Sequence, residues 1–298
     1  MSKNLRVVLL FAAVILIWST TWYGIKLQTN GTPPAISVGL RFTLASLLLF
    51  AWLLATRQHR IQWKALGLVL LQGLAFFGVT YVLEYTAMQY LTSGLAALLF
   101  STTILFNLLN EALWLRRSPA PATLLAAMMG VGGLALIFGR EWHAQADFDS
   151  LLVGSALMFT AAFVASLGNV LGSRLLSSGT SIVTLNTYAM MAGAVFSLTW
   201  GGMVDGWSTF DPSAVWIGAT VYLAIIGSVV AFGLYFTLLR EVGASRAAYA
   251  TVAVPAFALL ISTALENYQW TMMNAAGLAL VILGNALILR VREIKAPA

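Results

Sequence analysis

The stretch 243–270, GASRAAYATVAVPAFALLISTALENYQW, places a proline in the middle of a long apolar run. Arg246 and Glu266 stand near the two ends of the run, and Pro255 lies between them. A proline inside a helix removes one backbone hydrogen bond, and hydrocarbon tolerates this loss only where neighbouring helices or a wet cavity satisfy the freed carbonyl. The stretch therefore predicts a kinked inner helix of a membrane protein.

The composition of the whole chain agrees with this interpretation. Of 298 residues, 60% are apolar and 9% are charged, whereas soluble domains contain about 45–50% apolar and about 25% charged residues. The mean hydropathy is +0.88. The chain has no cysteine, and its two histidines, His59 and His143, fall in loops, so we expect no metal site and no cofactor. The composition predicts an all-α polytopic membrane protein.

Ten apolar runs follow one another, and each is long enough to cross a bilayer as a helix. The predicted transmembrane helices are residues 7–25, 35–55, 65–85, 92–115, 121–138, 151–171, 182–202, 214–239, 247–265 and 272–289. The first run resembles the start of a signal peptide, but it lacks an obvious small-residue cleavage site and nine more runs follow. We therefore expect an uncleaved helix.

The basic residues predict the orientation of these helices. With a cytoplasmic N-terminus, the cytoplasmic side holds most of the sixteen basic residues, namely Lys3, Arg6, Arg57, Arg60, Lys64, Arg116, Arg117, Arg174, Arg240, Arg246, Arg290, Arg292 and Lys295. Because cytoplasmic loops are enriched in Lys and Arg, both termini are predicted to face the cytoplasm. The same loops explain the net charge of +6, so nucleic acid is not expected as a partner.

Recurring motifs indicate that the two groups of five helices arose by duplication. GLAL at residues 133–136 recurs at residues 277–280, in the fifth and tenth predicted helices. A unit of five spans reverses its orientation when it is repeated, so duplication predicts two inverted five-helix repeats. The first repeat covers residues 1–140, a periplasmic linker covers 141–150, and the second repeat with a cytoplasmic tail covers 151–298.

Several stretches make the chain similar to a known family. They are RFTLASLLL from Arg41, AMQYLTSGLAALL from Ala87, the segment 255–266 and the two GLAL-containing helices. On these stretches the chain resembles the EamA-type drug/metabolite transporter superfamily over essentially its whole length, and most of all its aromatic amino-acid exporters. The resemblance implies ten helices as two inverted repeats, an inner-membrane location in a bacterium, and export of aromatic or hydrophobic amino acids by alternating access. It also implies a proline in the fourth helix, which is absent here, so the two halves are expected to bend unequally.

Two other functions remain open, a broad drug/metabolite permease and a membrane enzyme or structural subunit. The chain contains no Walker A, HExxH or GxSxG motif, so neither ATP hydrolysis nor those enzyme classes are indicated. We expect a protein that is not an enzyme and whose partners are a small-molecule substrate and membrane lipid. The sequence leaves both a monomer and a homodimer open.

Aromatic residues inside the first and third helices are candidate substrate-binding residues. Trp18 and Trp22 share one stripe of the first helix. Trp18 follows Arg6 by twelve residues, which is roughly 18 Å along a helix and too deep for the interfacial aromatic belt. Phe77 and Tyr81 share a stripe of the third helix. These rings either line a cavity or pack between helices.

Two charged residues are the least expected within the apolar helices. Glu84 lies on the stripe of Phe77 and Tyr81, and Arg41 lies at a similar depth in the second helix. A carboxylate at this depth is costly unless it faces water, a basic partner or a proton. Glu84 is therefore predicted either to bind an amino group or a proton, or to form an ion pair with Arg41. Arg41 and Pro255 are predicted to have gating or structural roles.

The remaining candidates lie in the second half of the chain and are Asn169, Tyr235 and Tyr249. Interhelical hydrogen bonds and packing account for most polar residues of such helices, so these three are candidates only by position. Glu111 and Glu266 are expected to be structural acids at helix ends. The small residues of the fifth and tenth helices are expected to support the repeats or to contact another protomer.

Overall fold

The computed structural model describes residues 3–29, 31–57, 63–115, 121–144, 148–207, 213–242 and 249–295, and these residues form helices and turns without strands. We number the helices α1 Lys3–Gln28, α2 Pro34–Ala55, α3 63–87, α4 93–115, α5 Pro121–Ala144, α6 Phe148–Ser177, α7 Ile182–Val204, α8 214–242, α9 Tyr249–Leu265 and α10 Met272–Lys295. Helices α3, α4 and α8 are each built from shorter segments.

By length and composition, six of these helices can cross a membrane, and they are α1, α2, α3, α6, α7 and α8. Shorter apolar helices, Ser93–Asn107, Leu125–Ile137, Ala250–Leu265 and Met272–Leu287, occupy the places of the other predicted spans. The all-α polytopic class is therefore confirmed, and the count of ten spans stays a prediction. The predicted linker at 141–150 is partly helical, because α5 ends at Ala144 and α6 begins at Phe148.

Helix α4 is interrupted although it contains no proline. It consists of Ser93–Phe100 and Thr103–Leu115, separated by a turn at Ser101 and Thr102. The hydroxyls of Ser101, Thr102 and Thr103 donate to the carbonyls three residues earlier, at 2.6, 2.7 and 2.6 Å. Hydroxyls that bond back to the preceding turn bend a helix. These three residues therefore account for the interruption of α4, the helix in which the family resemblance implies a proline.

Helix α9, in contrast, continues through Pro255 from Tyr249 to Leu265. The Ser19 hydroxyl of α1 lies 2.7 Å from the carbonyl oxygen of Ile15 in its own helix and 3.2 Å from that of Val254 in α9, so its proton is within reach of both. A hydroxyl from a neighbouring helix can solvate the backbone next to an intramembrane proline. The break in helical bonding therefore lies in α4, which has no proline, and not in α9, which contains Pro255.

The helices pack in a pattern that pairs each half with the other. Helix α2 packs along α7, α5 packs along α10, and α4 contacts α9. Helix α1 packs on α8 and α9, and α6 packs on α3 and α4. Each of these contacts between the halves is therefore matched by a contact of the helices five places away in the sequence of helices.

The two GLAL motifs meet at the crossing of α5 and α10. A β-carbon added to Gly277 would lie 2.5 Å from the carbonyl oxygen of Gly133, and one added to Gly133 would lie 3.0 Å from the backbone nitrogen of Val281. The absence of side chains is what lets the two backbones approach this closely. The small residues of these helices therefore hold α5 and α10 together.

Helices α3 and α8 each contain a π-helical segment, Leu74–Thr80 and Ile225–Val230 respectively. In each segment a hydroxyl donates to the carbonyl five residues earlier. The Thr80 hydroxyl bonds to Ala75 and the Ser228 hydroxyl to Leu223, both at 2.9 Å. Single π-helical turns occur frequently at functional sites. These two segments flank the candidate site.

Candidate functional site: an aromatic cluster beside a buried arginine

Six rings from four helices form a continuous group that we call the aromatic cluster. Its members are Trp18 of α1, Phe42 of α2, Phe77 and Tyr81 of α3, and Phe232 and Tyr235 of α8. The ring centroids lie 5.1 Å apart for Trp18 and Tyr235, 5.8 Å for Trp18 and Phe232, 6.3 Å for Phe77 and Phe232, 6.3 Å for Phe77 and Tyr81, and 4.7 Å for Phe42 and Tyr81. These are the separations of interacting aromatic pairs.

The cluster is not uniformly buried. Phe42 and Phe77 are buried, whereas Trp18, Tyr81 and Phe232 are partly exposed, as is Tyr235. Buried rings on α2 and α3 therefore support more accessible rings on α1, α3 and α8. The accessible faces of the cluster are therefore those of Trp18, Tyr81, Phe232 and Tyr235.

A second group, which we call the Arg41 cluster, joins α1, α2, α3 and α8 by hydrogen bonds. Arg41 Nη1 donates to the Tyr85 hydroxyl at 3.2 Å, which donates to Gln28 Oε1 at 2.8 Å. Gln28 Nε2 then donates to the Thr220 hydroxyl at 2.6 Å. On the other side, Arg41 Nε and Nη2 donate to the Ser228 hydroxyl at 3.4 and 3.3 Å. The bonds run in one direction, from the cation into neutral acceptors.

The Arg41 cluster and the aromatic cluster are in direct contact. The guanidinium carbon of Arg41 lies 5.1 Å from the ring centroids of both Phe42 and Tyr81, which is a cation–π distance. Glu84 lies between Tyr81 and Tyr85 in the last segment of α3, and its exposed fraction is 3%. It forms no ion pair with Arg41. The predicted ion pair is therefore replaced by hydroxyl and ring contacts, because Arg41 extends towards Tyr85 and towards Ser228 of α8.

Contacts at the end of the molecule that holds Lys26 join α1 to the turn between α3 and α4, and the end of α9 to the start of α4. Lys26 Nζ donates to the carbonyls of Met88 and Leu91 at 2.5 and 2.9 Å. The Glu266 carboxylate accepts a bond from the Ser93 amide at 3.0 Å and another from the Ser93 hydroxyl. We call these bonds the closing contacts. Glu266 thus has the structural role predicted for it, at the start of α4.

A cleft of about 200 Å³ adjoins the closing contacts. It is lined by Lys26, Gln89, Tyr90, Leu91, Thr92, Leu95, Leu151 and Tyr268. The opposite end of α1 is tied to the end of α8 by an ion pair between Arg6 Nε and Glu241 Oε1 at 3.0 Å. We refer to the two ends of the molecule as the Lys26 end and the Arg6 end.

The structure brings together six of the ten candidates named from the sequence. Trp18, Phe77, Tyr81 and Tyr235 belong to the aromatic cluster, and Arg41 and Glu84 lie beside it. The other four candidates are Trp22, Asn169, Tyr249 and Pro255, and Pro255 lies inside α9.

Trp22 is buried, and its ring lies 5.6 Å from that of Phe100 in α4. The Asn169 amide donates to Asn107 Oδ1 at 3.3 Å, which joins α6 to α4. Tyr249 begins α9, but its side chain is outside the described part of the chain. These contacts place Trp22 and Asn169 in helix packing.

Sequence reasoning missed Phe42, Phe232 and Tyr85 as members of the site. The helical spacing of the sequence could have identified two of them. Phe232 precedes Tyr235 by three residues and Tyr85 follows Tyr81 by four, which places each on the same helix face as its neighbour. No sequence pattern distinguishes Phe42, because an apolar ring in an apolar helix is typical of any packing residue.

The fold and the two clusters define the class of protein: it is a multi-helix membrane protein whose helices enclose aromatic and polar groups. The EamA-like transporter family matches the chain twice, over residues 5–139 and 152–290. The chain therefore belongs to the EamA-like transporter family, and it is a membrane transporter.

Individual relatives are similar over nearly the whole chain. The uncharacterized transporter YoaV of Bacillus subtilis is 28% identical and covers 94% of this chain and 95% of its own length. The uncharacterized inner membrane transporter YedA of Escherichia coli is also 28% identical, covering 91% and 88%. A solved crystal structure has a TM-score of 0.68 at 20% identity, covering 99% of this chain and 100% of its own, and this likeness shows the fold.

Proposed function

We propose that this protein is a secondary transporter that exports amino acids, with aromatic or hydrophobic ones preferred, across the bacterial inner membrane by alternating access. The observation that carries the proposal is the aromatic cluster, whose partly exposed rings Trp18, Tyr81, Phe232 and Tyr235 come from three helices. Rings presented in this way stack on an aromatic side chain and contact an aliphatic one.

Charged groups for the polar part of an amino acid lie next to these rings. Glu84 offers a carboxylate for an ammonium group, and it has no ion-pair partner among the described residues. Arg41 offers a cation at the Phe42 and Tyr81 rings. A zwitterion with an apolar side chain matches this combination of groups.

The proposal includes ten spans arranged as two inverted five-helix repeats, residues 1–140 and 151–298, with a linker at 141–150. Three observations support it: the family matches the chain twice, the helix contacts between the two halves correspond, and α3 and α8 carry π segments at corresponding places. Inverted repeats that rock against each other are a common basis of alternating access.

In this proposal the Lys26 end faces the periplasm and the Arg6 end, with both termini, faces the cytoplasm. The name of the relative YedA supports the inner membrane as the location. The distribution of Lys and Arg supports the orientation. The closing contacts then close the periplasmic side, and they must break before substrate leaves the cell.

Transport by the purified protein in liposomes tests the proposal. Efflux of radiolabelled phenylalanine, tryptophan, leucine, alanine and aspartate is measured from preloaded vesicles. We expect phenylalanine, tryptophan and leucine to leave faster than from protein-free vesicles, and aspartate to leave no faster. Protein that is folded but moves none of the amino acids would disprove the export of amino acids.

A further inference from the structure

We propose that Arg41 binds the carboxylate of the transported molecule, so that the substrate class is defined by a carboxylate beside an apolar group. The inference rests on the proposed function for the location of the substrate, and it adds which group of the substrate Arg41 binds. Arg41 is assigned here as a binding residue instead of a purely structural one.

The first argument is the incomplete hydrogen bonding of a buried cation. Arg41 is 2% exposed. A guanidinium has five N–H groups, and among the described residues three N–H groups of Arg41 have acceptors, the Tyr85 hydroxyl for one and the Ser228 hydroxyl for two. The remaining two have no acceptor in that part of the chain. A buried charge is costly unless it is paired and hydrogen-bonded.

The second argument is the length and type of the bonds that do exist. They measure 3.2, 3.3 and 3.4 Å, whereas charge-assisted bonds from a guanidinium to a carboxylate are about 2.7–2.9 Å long. Both acceptors are neutral hydroxyls. Moreover, Ser228 donates its proton to the Leu223 carbonyl, and Tyr85 donates to Gln28, so these acceptors are held in place by bonds of their own.

Glu84 does not fill this role. It influences Arg41 electrostatically but forms no ion pair with it. Both residues are held on helices that also carry rings of the aromatic cluster, Phe42 beside Arg41 and Tyr81 one turn before Glu84. Among the described residues, no carboxylate therefore forms an ion pair with Arg41.

The third argument is the position of the arginine relative to accessible rings. Its guanidinium carbon lies 5.1 Å from the centroid of Tyr81, which is partly exposed. Tyr81 in turn is nearly parallel to Phe77, with 13° between the ring planes. A ligand whose apolar part lies against these rings brings a carboxylate within reach of Arg41. Arg is suited to this task because its planar fork binds both carboxylate oxygens.

Ligand binding to the purified native protein tests the inference with three probes: L-phenylalanine, L-phenylalaninamide and 3-phenylpropionate. The amide lacks the carboxylate, and 3-phenylpropionate lacks the ammonium group. We expect both carboxylates to bind about tenfold more tightly than the amide, because a charge-assisted pair is the interaction that the amide loses. Equal affinity for all three, or no binding of either carboxylate, would overturn the inference.

Variants assign the preference to Arg41. Arg41→Gln should reduce the ratio of carboxylate to amide affinity to about one, and Arg41→Lys should reduce it in part, because lysine keeps the charge without the fork. Ser46→Ala also alters α2, but it removes a hydroxyl that donates to the Thr43 carbonyl within that helix, so it should leave the ratio unchanged. A folded Arg41→Gln protein that keeps the native ratio would also overturn the inference. The comparison of the three probes on the native protein tests the inference even if Arg41→Gln does not fold.

The probes separate this inference from the proposed function. Binding of 3-phenylpropionate that depends on Arg41, without transport of any amino acid, would keep the carboxylate site and reject amino-acid export. Transport of phenylalanine together with equal affinity for its amide would keep export and reject the role of Arg41.

Discussion

At the scale of single residues, the meaning of each ring depends on what surrounds it. Trp18 and Trp22 lie one turn apart on α1, yet Trp18 contacts Phe232 and Tyr235 of α8, while Trp22 contacts Phe100 of α4. Trp18 is partly exposed and Trp22 is buried. The same residue type therefore contributes to the candidate site at one position and to helix packing at the next.

Replacing Trp18 or Tyr81 by alanine should weaken transport of aromatic substrates more than that of small aliphatic ones. The loss of a stacking partner is worth about 0.5–1.5 kcal/mol beyond the buried area, so the relative rates at low substrate concentration should change by roughly twofold to tenfold. Rates are measured in liposomes for phenylalanine and alanine. Trp200→Ala is the control, because Trp200 is exposed on α7 and stacks only on Phe196 among the ring contacts described. Equal losses of transport for both substrates would show that Trp18 and Tyr81 serve only in helix packing.

At the scale of helices, close backbone approach explains the small residues of α5 and α10. Gly132 and Gly133 are neighbours in sequence, but only Gly133 faces the other backbone. A β-carbon on Gly133 would overlap α10, and one on Gly132 would meet nothing within 4 Å. The two glycines therefore form a matched pair for a stability experiment.

Gly133→Ala should destabilise the protein by about 1–3 kcal/mol, since the added methyl group forces α5 and α10 apart. Gly132→Ala should be neutral or slightly stabilising, because alanine favours the helix and has open space around it. The midpoint of thermal unfolding in detergent provides the measurement. Similar shifts for the two variants would contradict the crossing described here.

The closing contacts are also a property of helices, because they attach the start of α4 to the end of α9. Glu266→Gln removes the charge from bonds to the Ser93 amide and hydroxyl, and hydrogen bonds to charged groups contribute about 1.5–3 kcal/mol. The Lys26 end should therefore open more often in this variant. The rate at which a cysteine at Leu95, which lines the cleft, reacts with an impermeant thiol reagent reports this opening.

We expect that rate to increase several-fold in Glu266→Gln. Glu241→Gln is the matched control, because Glu241 is bonded to Arg6 at the opposite end of the molecule. An unchanged rate in Glu266→Gln would show that the closing contacts do not control access at the Lys26 end.

At the scale of the whole molecule, the correspondence between the halves is close but not complete. The π segments, the GLAL motifs and the helix contacts between the halves correspond. The interruption of α4 and the continuous α9 do not. A transporter built in this way has two related but unequal halves, so we expect the movements at its two ends to differ.

The proposed orientation predicts which loops are reached from outside the cell. Single cysteines at Ser118 and Ser178 should be protected from an impermeant thiol reagent in intact cells, whereas cysteines at Ala144 and Ser208 should react. The native chain has no cysteine, so any labelling of this protein comes from the introduced cysteine. Reaction at Ser118 in intact cells would reverse the assignment of the Lys26 end to the periplasm.

The amino-acid sequence by itself determined the membrane class, the places of the helices, and the positions of unusual residues such as Arg41 and Glu84. These properties follow from composition and from the helical period, which are local along the chain. Even the correspondence of the GLAL motifs could be recognised before their contact was known.

Only the tertiary structure decided which side chains meet. Arg41 and Ser228 are 187 positions apart, and their contact depends on the packing of α2 against α8. For the same reason the sequence suggested Glu84 as the partner of Arg41, whereas Tyr85 and Ser228 hold the guanidinium. Similar depth in the bilayer does not determine a contact, because the rotation and crossing of each helix decide which face meets which neighbour.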